Sequence, residues 1–332
     1  MSNPAAPTNP QAPQATQAPQ ATPSAPDAPH AFVLGEALID VIDKADGTPP
    51  QPYAGGSPYN VAITLGRLGR PVVLSANLAR DDFGQLIIDG AAASGVYITD
   101  SSFAAARTPS ATASIGADGA ASYVFDFSFD PPTVALPPQA GIVHIGSISA
   151  MAAGGFDTVL RTVQTVHDAS SAVVTYDINA RPSLMEAPAV TLPKVEQLIA
   201  CADVVKLSDE DLDWLTGGAD VDAQVIRWLD LGPQMIVVTR GAQGADLWTA
   251  SGIAAHQDAR VGPVVDTVGA GDSFMGAIID TLWSFGVIAE GGREQLGQLY
   301  RDQVGAILDH AAEVAAVTVS RAGANPPWSH EL

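Results

Sequence analysis

Residues 266–274 read Asp266-Thr267-Val268-Gly269-Ala270-Gly271-Asp272-Ser273-Phe274, and the apolar segment Met275 to Trp283 that follows has helical spacing. Glycines on either side of a turn let several backbone N–H groups converge on one point, and a helix starting there adds the positive end of its dipole. The stretch therefore predicts an anion-binding hollow made by Gly269, Ala270 and Gly271. Asp272 falls at the helix N-terminus, where its carboxylate lies beside any bound phosphoryl group and is placed to take a proton. Helix capping by Asp272 is the competing reading. The loop has no lysine, so it is not the phosphate loop that ends in Gly-Lys-Ser/Thr, and it lacks the dinucleotide fingerprint.

Working outward, Gly55-Gly56-Ser57-Pro58-Tyr59-Asn60 opens a second helix. Ser57 is expected as its cap and Pro58 at its first position, with Val61, Leu65 and Leu68 on one face. The glycines admit a ligand close to the backbone, and Asn60 offers a donor and an acceptor to a hydroxyl. Asp40, in a loop after the first strand, is a further acceptor for polyol hydroxyls. Asp177-Ile178-Asn179-Ala180-Arg181-Pro182 follows an expected strand, where ligands of open α/β sheets bind, and Arg181 is suited to a phosphoryl group or sugar oxygen. Thr239-Arg240-Gly241-Ala242-Gln243-Gly244 repeats the theme of a glycine turn with free amides. His144, His167, His256 and His310 are scattered and suggest no catalytic triad.

Short apolar runs alternate with longer amphipathic ones from residue 31 onward, the pattern of a mostly parallel sheet with crossover helices. Strands are expected at Phe32 to Leu34, Val72 to Ala76, Ile142 to Ile145, Val173 to Tyr176, Val204 to Leu207 and Met235 to Thr239. Ala111 to Ile115 and Ser122 to Phe127 flank Asp118-Gly119 as a β-hairpin, and Ala37 to Ile42 is expected to pair nearby. Together they predict a small β-lobe, around 37–54 and 107–129, on one domain spanning 31–332. Residues 1–30 are nearly all Pro, Ala, Gln, Ser and Thr and read as a disordered tail.

The chain has 332 residues, a hydrophobic fraction of 47%, and a formal net charge of −21. Such a charge argues against a nucleic-acid partner. The only lysines are Lys44, Lys194 and Lys206, so a polyphosphate would have to be attracted locally, by amides, helix ends, a few arginines and a divalent cation. Cys201 is the only cysteine, which rules out an internal disulfide. The first thirty residues have no basic start or apolar run, and no later run reaches about 18 apolar residues. A cytoplasmic protein with no membrane partner is expected.

Taken in order, the Gly-Gly cluster, the post-strand arginine and the Gly-Ala-Gly-Asp loop resemble the ribokinase-like carbohydrate kinases of the phosphofructokinase-B type, from about residue 31 to Trp328. The resemblance implies a three-layer α/β/α fold with a β-sheet lid, and transfer of the γ-phosphoryl of ATP to a sugar hydroxyl. It implies Asp272 as the catalytic base, Gly269, Ala270 and Gly271 as the anion hole, and Asp40, Gly55, Gly56, Asn60 and Arg181 at the sugar. Ser208, Thr239, Gly241 and Gly244 would lie along the nucleotide, and His310 would meet adenine. Mg²⁺ would accompany ATP, with Asp211 near it; Asp266 would serve a monovalent cation, potassium. The family often carries Asn-x-x-Glu where this chain has Ser208-Asp209-Glu210-Asp211, as its fructokinase branch does. Gly56-Ser57-Pro58, Asn179-Ala180-Arg181-Pro182 and the segment Val319 to Pro327 are also similar to that branch and favour fructose. Ribose, 2-keto-3-deoxygluconate and nucleosides are the alternative acceptors. A non-catalytic sugar or nucleotide sensor on the same fold is the alternative of another class, and a dinucleotide-dependent oxidoreductase is disfavoured. In many members the lid pairs two subunits, which implies a homodimer.

Overall fold

The computed structural model describes residues 25–44, 49–115, 121–126, 137, 139–152, 154–169, 172–288 and 291–332. Most of the expected tail, residues 1–24, and the Asp118-Gly119 turn lie outside the described residues. His30, assigned to the tail from sequence, instead opens the first strand. Its side chain is buried and its amide bonds to the Gln139 carbonyl.

The chain begins with β1 (His30–Leu34), then enters the lid as β2 (Leu38–Lys44) and β3 (Gln51–Gly55). It returns through α1 (Ser57–Arg67), β4 (Val72–Ser75), α2 (Asp82–Ala93) and β5 (Val96–Ile98). A second excursion forms the hairpin β6 (Ser110–Ile115) and β7 (Ala121–Asp126). Regular alternation follows: β8 (Ala140–Gly146), α3 (Gly155–Ala169), β9 (Val173–Asp177), α4 (Pro188–Ile199), β10 (Val204–Ser208), α5 (Asp209–Thr216), α6 (Val221–Leu229) and β11 (Met235–Thr239). The chain then runs through β12 (Ala245–Thr249), β13 (Ala254–Gln257), α7 (Ala270–Ser284), α8 (Gly292–Gly297) and α9 (Arg301–Val319).

The main sheet has the order β13-β12-β11-β10-β9-β8-β1-β4-β5. From β11 to β5 every pairing is parallel, and only β12 and β13 run antiparallel. Alternate residues of one strand feed opposite cores. Ala31 and Val33 face the layer that holds Met275, Ile278, Ile307 and Leu308, whereas Phe32 and Leu34 face the layer that holds Val163, Leu198 and Trp228. The strands buried on both faces are the Val- and Ile-rich runs of the sequence, as parallel sheets require.

The lid is a separate four-stranded sheet, β3-β2-β6-β7. The expected partner of the hairpin is present, and it runs parallel to β6, with Asp40 opposite Ala111. Asp40 therefore sits within a strand, not in the loop expected from sequence. Strand order reverses at β1: the chain moves outward through β4 and β5, then restarts on the other side at β8. The carboxyl ends of strands beside such a switch point form a crevice where ligands bind.

Candidate active site

Two helix N-termini meet above that crevice. The N-cap of α7 is Gly269, whose φ of 76° is left-handed, and a side chain there would also collide with Ala324, since a Cβ would lie 2.5 Å from the alanine methyl carbon. Only glycine meets both demands. The amides of Gly271 and Asp272 in the first turn have no carbonyl four residues back within the helix, so their hydrogens are available to an anion, reinforced by the dipole. Of the residues expected to make the hollow, Gly271 offers such an amide, whereas the Ala270 amide donates to the Thr267 carbonyl at 3.2 Å.

The N-cap of α1 is Gly56, with φ 102° and no side-chain cap, so the expectation of Ser57 as cap is corrected. A Cβ on Gly56 would lie 2.7 Å from the Glu36 carbonyl oxygen. Pro58 is in the first turn as expected. Ser57 is free to turn its hydroxyl elsewhere, and it donates to Asp272 Oδ1 at 2.7 Å. One turn on, Asn60 Nδ2 donates to Asp272 Oδ2 at 2.8 Å. Residues three apart share a helix face, so α1 grips both carboxylate oxygens. The two helices approach closely because Gly276 of α7 lies against Thr64 of α1.

A third donor comes from the turn after β9. Asn179 adopts φ 37°, a left-handed value that Asn tolerates better than most residues, and its Nδ2 lies 3.2 Å from Asp272 Oδ1. Its amide oxygen accepts from Arg181 Nη1 at 2.5 Å, which fixes the amide so that nitrogen faces Asp272. Sequence reasoning singled out Asn60 and Arg181 but missed Ser57 and Asn179 as partners of the carboxylate.

Beneath the hollow lies a buried ion pair that sequence reasoning also missed. Lys206 Nζ, on β10, is 3.0 Å from Asp177 Oδ1 on β9, and a Cβ built on Gly271 would be 3.4 Å from that ammonium. Burial pushes the Asp177 carboxyl up to about 7; Lys206 opposes this, while the charges of Asp272 and Asp211 add to it. The only signals in sequence were a lysine inside an apolar strand and an aspartate at the end of another.

Asp40 stands on β2 of the lid, exposed but crowded by the neighbouring strand, since a Cβ on Gly55 would come 2.5 Å from its Oδ2. Loss of water raises its carboxyl above the ordinary value, against the pull of the Arg181 charge. Asp211 lies in the first turn of α5. Its Oδ2 accepts from the Ser208 amide in a capping box and its Oδ1 accepts from the Ala180 amide, both at 2.9 Å. These bonds tie α5 to the turn that carries Asn179. Ser208 is the other half of that box. Thr239 ends β11, followed by left-handed Gly241 and Gly244 in a tight turn beside β13. His310 lies on α9 with Nε2 2.9 Å from Asp280, which also pairs with Arg70, so one ring nitrogen is already engaged.

Asp266 Oδ1 accepts from the Val268 amide and Oδ2 from the Gly323 amide, and these bonds hold its carboxyl below the ordinary range. No group of three or more His, Cys, Asp or Glu among the described residues is arranged to hold a metal. A magnesium ion carried on nucleotide phosphates needs no such cage, because it keeps waters and takes few protein ligands. Among the described residues no helix is long and apolar enough to cross a membrane.

Residues 28–331 match the family described as pfkB family carbohydrate kinase. A fructokinase of Rhizobium leguminosarum bv. trifolii is 34% identical over 263 residues, 75% of this chain and 78% of that protein. The crystal structure of a fructokinase with bound ATP from Xylella fastidiosa superposes with a TM-score of 0.75 at 28% identity, covering 89% of this chain and 93% of the other. An aminoimidazole riboside kinase from Salmonella enterica has the same fold, with a TM-score of 0.72 at 23% identity and coverage of 89% and 95%. One architecture thus carries different acceptors.

Proposed function

We propose that this chain, which belongs to the pfkB family of carbohydrate kinases, is an ATP-dependent fructokinase with Asp272 as its catalytic base. The observation that carries the reading is the position of that carboxylate. It is buried at the N-terminus of α7, gripped on both oxygens by α1, directly beside the amides of the anion hollow. A hydroxyl brought to it and a phosphoryl group held by the amides would meet in one place, and phosphoryl transfer asks little more of a protein than this positioning and charge stabilisation.

In this mechanism Asp272 removes the proton from a primary hydroxyl of fructose as the oxygen attacks the γ-phosphorus. The hollow shaped by Gly269, Ala270 and Gly271, with the free amides of Gly271 and Asp272, would bear the charge developing on the phosphoryl oxygens. Asp40, Gly55, Gly56, Asn60 and Arg181 orient the sugar, and the lid excludes water. Ser208, Thr239, Gly241, Gly244 and His310 line the nucleotide path. Mg²⁺ brought with ATP would supply neutralising charge to the phosphates, and Asp211 is the residue that would hold it. Asp266, whose carboxylate fastens the hollow to the segment at Gly323, is the residue for a monovalent cation beside it. A homodimer would form through the outer edge of β3 or β7.

Fructose is favoured as acceptor by the Rhizobium and Xylella fructokinases among the relatives of this chain. The test is a panel of fructose, ribose, 2-keto-3-deoxygluconate and nucleosides with ATP and Mg²⁺. Fructose is expected to give the highest kcat/KM. A higher value for another acceptor would overturn the substrate, and transfer to none of them would overturn the activity.

A further inference from the structure

The two oxygens of Asp272 are not equivalent. Oδ1 accepts two hydrogen bonds, from the Ser57 hydroxyl at 2.7 Å and from Asn179 Nδ2 at 3.2 Å, whereas Oδ2 accepts one, from Asn60 Nδ2 at 2.8 Å. A carboxylate oxygen has about two lone-pair directions. Oδ1 is filled by donors that belong to the protein's framework: Ser57 is buried in the first turn of α1, and the Asn179 amide is pinned by Arg181. Oδ2 keeps a lone pair, and its single donor is the side chain already placed beside the sugar.

We propose that Ser57 and Asn179 are positioning residues that saturate Oδ1 of Asp272 and so make Oδ2 the atom that receives the proton of the acceptor hydroxyl. The inference rests on the kinase reading above. In the step, the O–H bond of the sugar breaks and an O–H bond forms at Oδ2. The hydroxyl oxygen's electron pair forms the new P–O bond, and the old P–O bond leaves with ADP. The proton passes to water when the site opens. Ser57 also restrains rotation of the carboxylate plane, since it and Asn60 hold opposite oxygens from one rigid helix turn. Around the carboxylate stand the Lys206–Asp177 pair, with Asp211 close enough to act on it, and Arg181 behind Asn179, whose charge also reaches Asp40.

The test is Ser57→Ala, read as the pH dependence of kcat together with KM for fructose and the melting temperature. Loss of a donor that favours the charged carboxylate is expected to move the acid limb of kcat to higher pH and to lower the plateau about tenfold, the scale of a hydrogen bond to a charged group. KM for fructose and for ATP should stay within about twofold, since Ser57 does not hold the ligand. Ser57→Thr, which restores a hydroxyl, should return the limb toward its original position. Asn179→Gly, whose backbone suits a left-handed residue, removes the second Oδ1 donor independently and should move the limb the same way even if Ser57→Ala fails to fold. An acid limb unmoved in folded variants would overturn the proposal, as would a rise in KM for fructose without a limb shift, because that would place Oδ1 against the sugar. A wild-type protein that phosphorylates fructose while Ser57→Ala leaves its pH profile intact would sink this inference alone. A wild-type protein with no transfer to any sugar would remove the function and the inference together.

Discussion

Arg67, at the C-terminal end of α1, donates through one guanidinium nitrogen to both Asn325 Oδ1 at 2.6 Å and the Pro326 carbonyl at 2.7 Å, while its charge lies 5.3 Å from the Trp328 ring centre. The segment it clasps is the one whose Ala324 backs Gly269 and whose Gly323 amide bonds Asp266. The helix that grips the base at one end therefore holds the support of the anion hollow at the other.

Arg67→Ala should loosen that support. The expected result is a fall in kcat of about tenfold with little change in KM for the sugar, and a stability loss of about 1–3 kcal/mol from two lost hydrogen bonds and a cation–π contact. Steady-state kinetics and urea denaturation check it. Unchanged turnover would mean that the hollow keeps its shape without the clasp.

Asp272→Asn should lower turnover by about 10²–10⁴, the range of general base catalysis, with ATP affinity nearly unchanged because the loop amides remain. Helix capping alone predicts no such loss, since Asn caps about as well as Asp. The structure adds a second consequence. Asn presents one oxygen and one NH₂, so one side of the new amide must face a donor, either Asn60 or the Ser57 and Asn179 pair. A modest stability loss of about 1–3 kcal/mol should accompany the kinetic effect. A folded variant with near-normal turnover would remove Asp272 as the base.

His144 on β8 is fully buried, with Nδ1 3.0 Å from the Thr175 hydroxyl. Burial lowers its pKa to about 3, with Lys206 adding to the effect. Between about 3 and the ordinary 6.5 the unfolded chain binds a proton that the folded chain refuses, so the stability tied to this group is lost as pH falls below about 6.5. The slope from one such group is about 1.4 kcal/mol per pH unit. Asp177 acts with the opposite sign, because its raised value means stability is lost as pH rises through about 7. The difference between wild type and His144→Asn isolates the histidine: denaturation midpoints from pH 7 downward should fall less steeply in the variant. Parallel curves would show that His144 does not set the acid sensitivity.

What sequence made legible is what depends on neighbours along the chain. The α7 loop, Pro58 in the first turn of α1, and the strand Met235–Thr239 follow from local glycine, proline and β-branched patterns. The strands β12 and β13 were not anticipated, because they are short and form an antiparallel edge outside the β/α alternation that reveals the other strands. Ser57 fits a helix cap by local rules, and only the approach of α7 gives its hydroxyl a better acceptor. Lys206 and Asp177 meet because adjacent strands set them in register, which no spacing within either strand discloses. The acidic stretch Ser208 to Asp211 also builds a helix start with an extra backbone tie to Ala180, a partner 31 residues away that no local spacing discloses.

The three donors on Asp272 lie 215, 212 and 93 residues away in the chain. No fragment contains a local nucleus for this site, and closing loops of that length is slow because their entropy is lost before any contact forms. Secondary structure in α1 and α7 can form early from their own sequences, whereas the carboxylate finds its donors only when the first helix, the turn after β9 and α7 have all docked on the sheet. Recovery of turnover should therefore trail recovery of helical signal when the protein is refolded, so that enzymatic competence marks the end of folding.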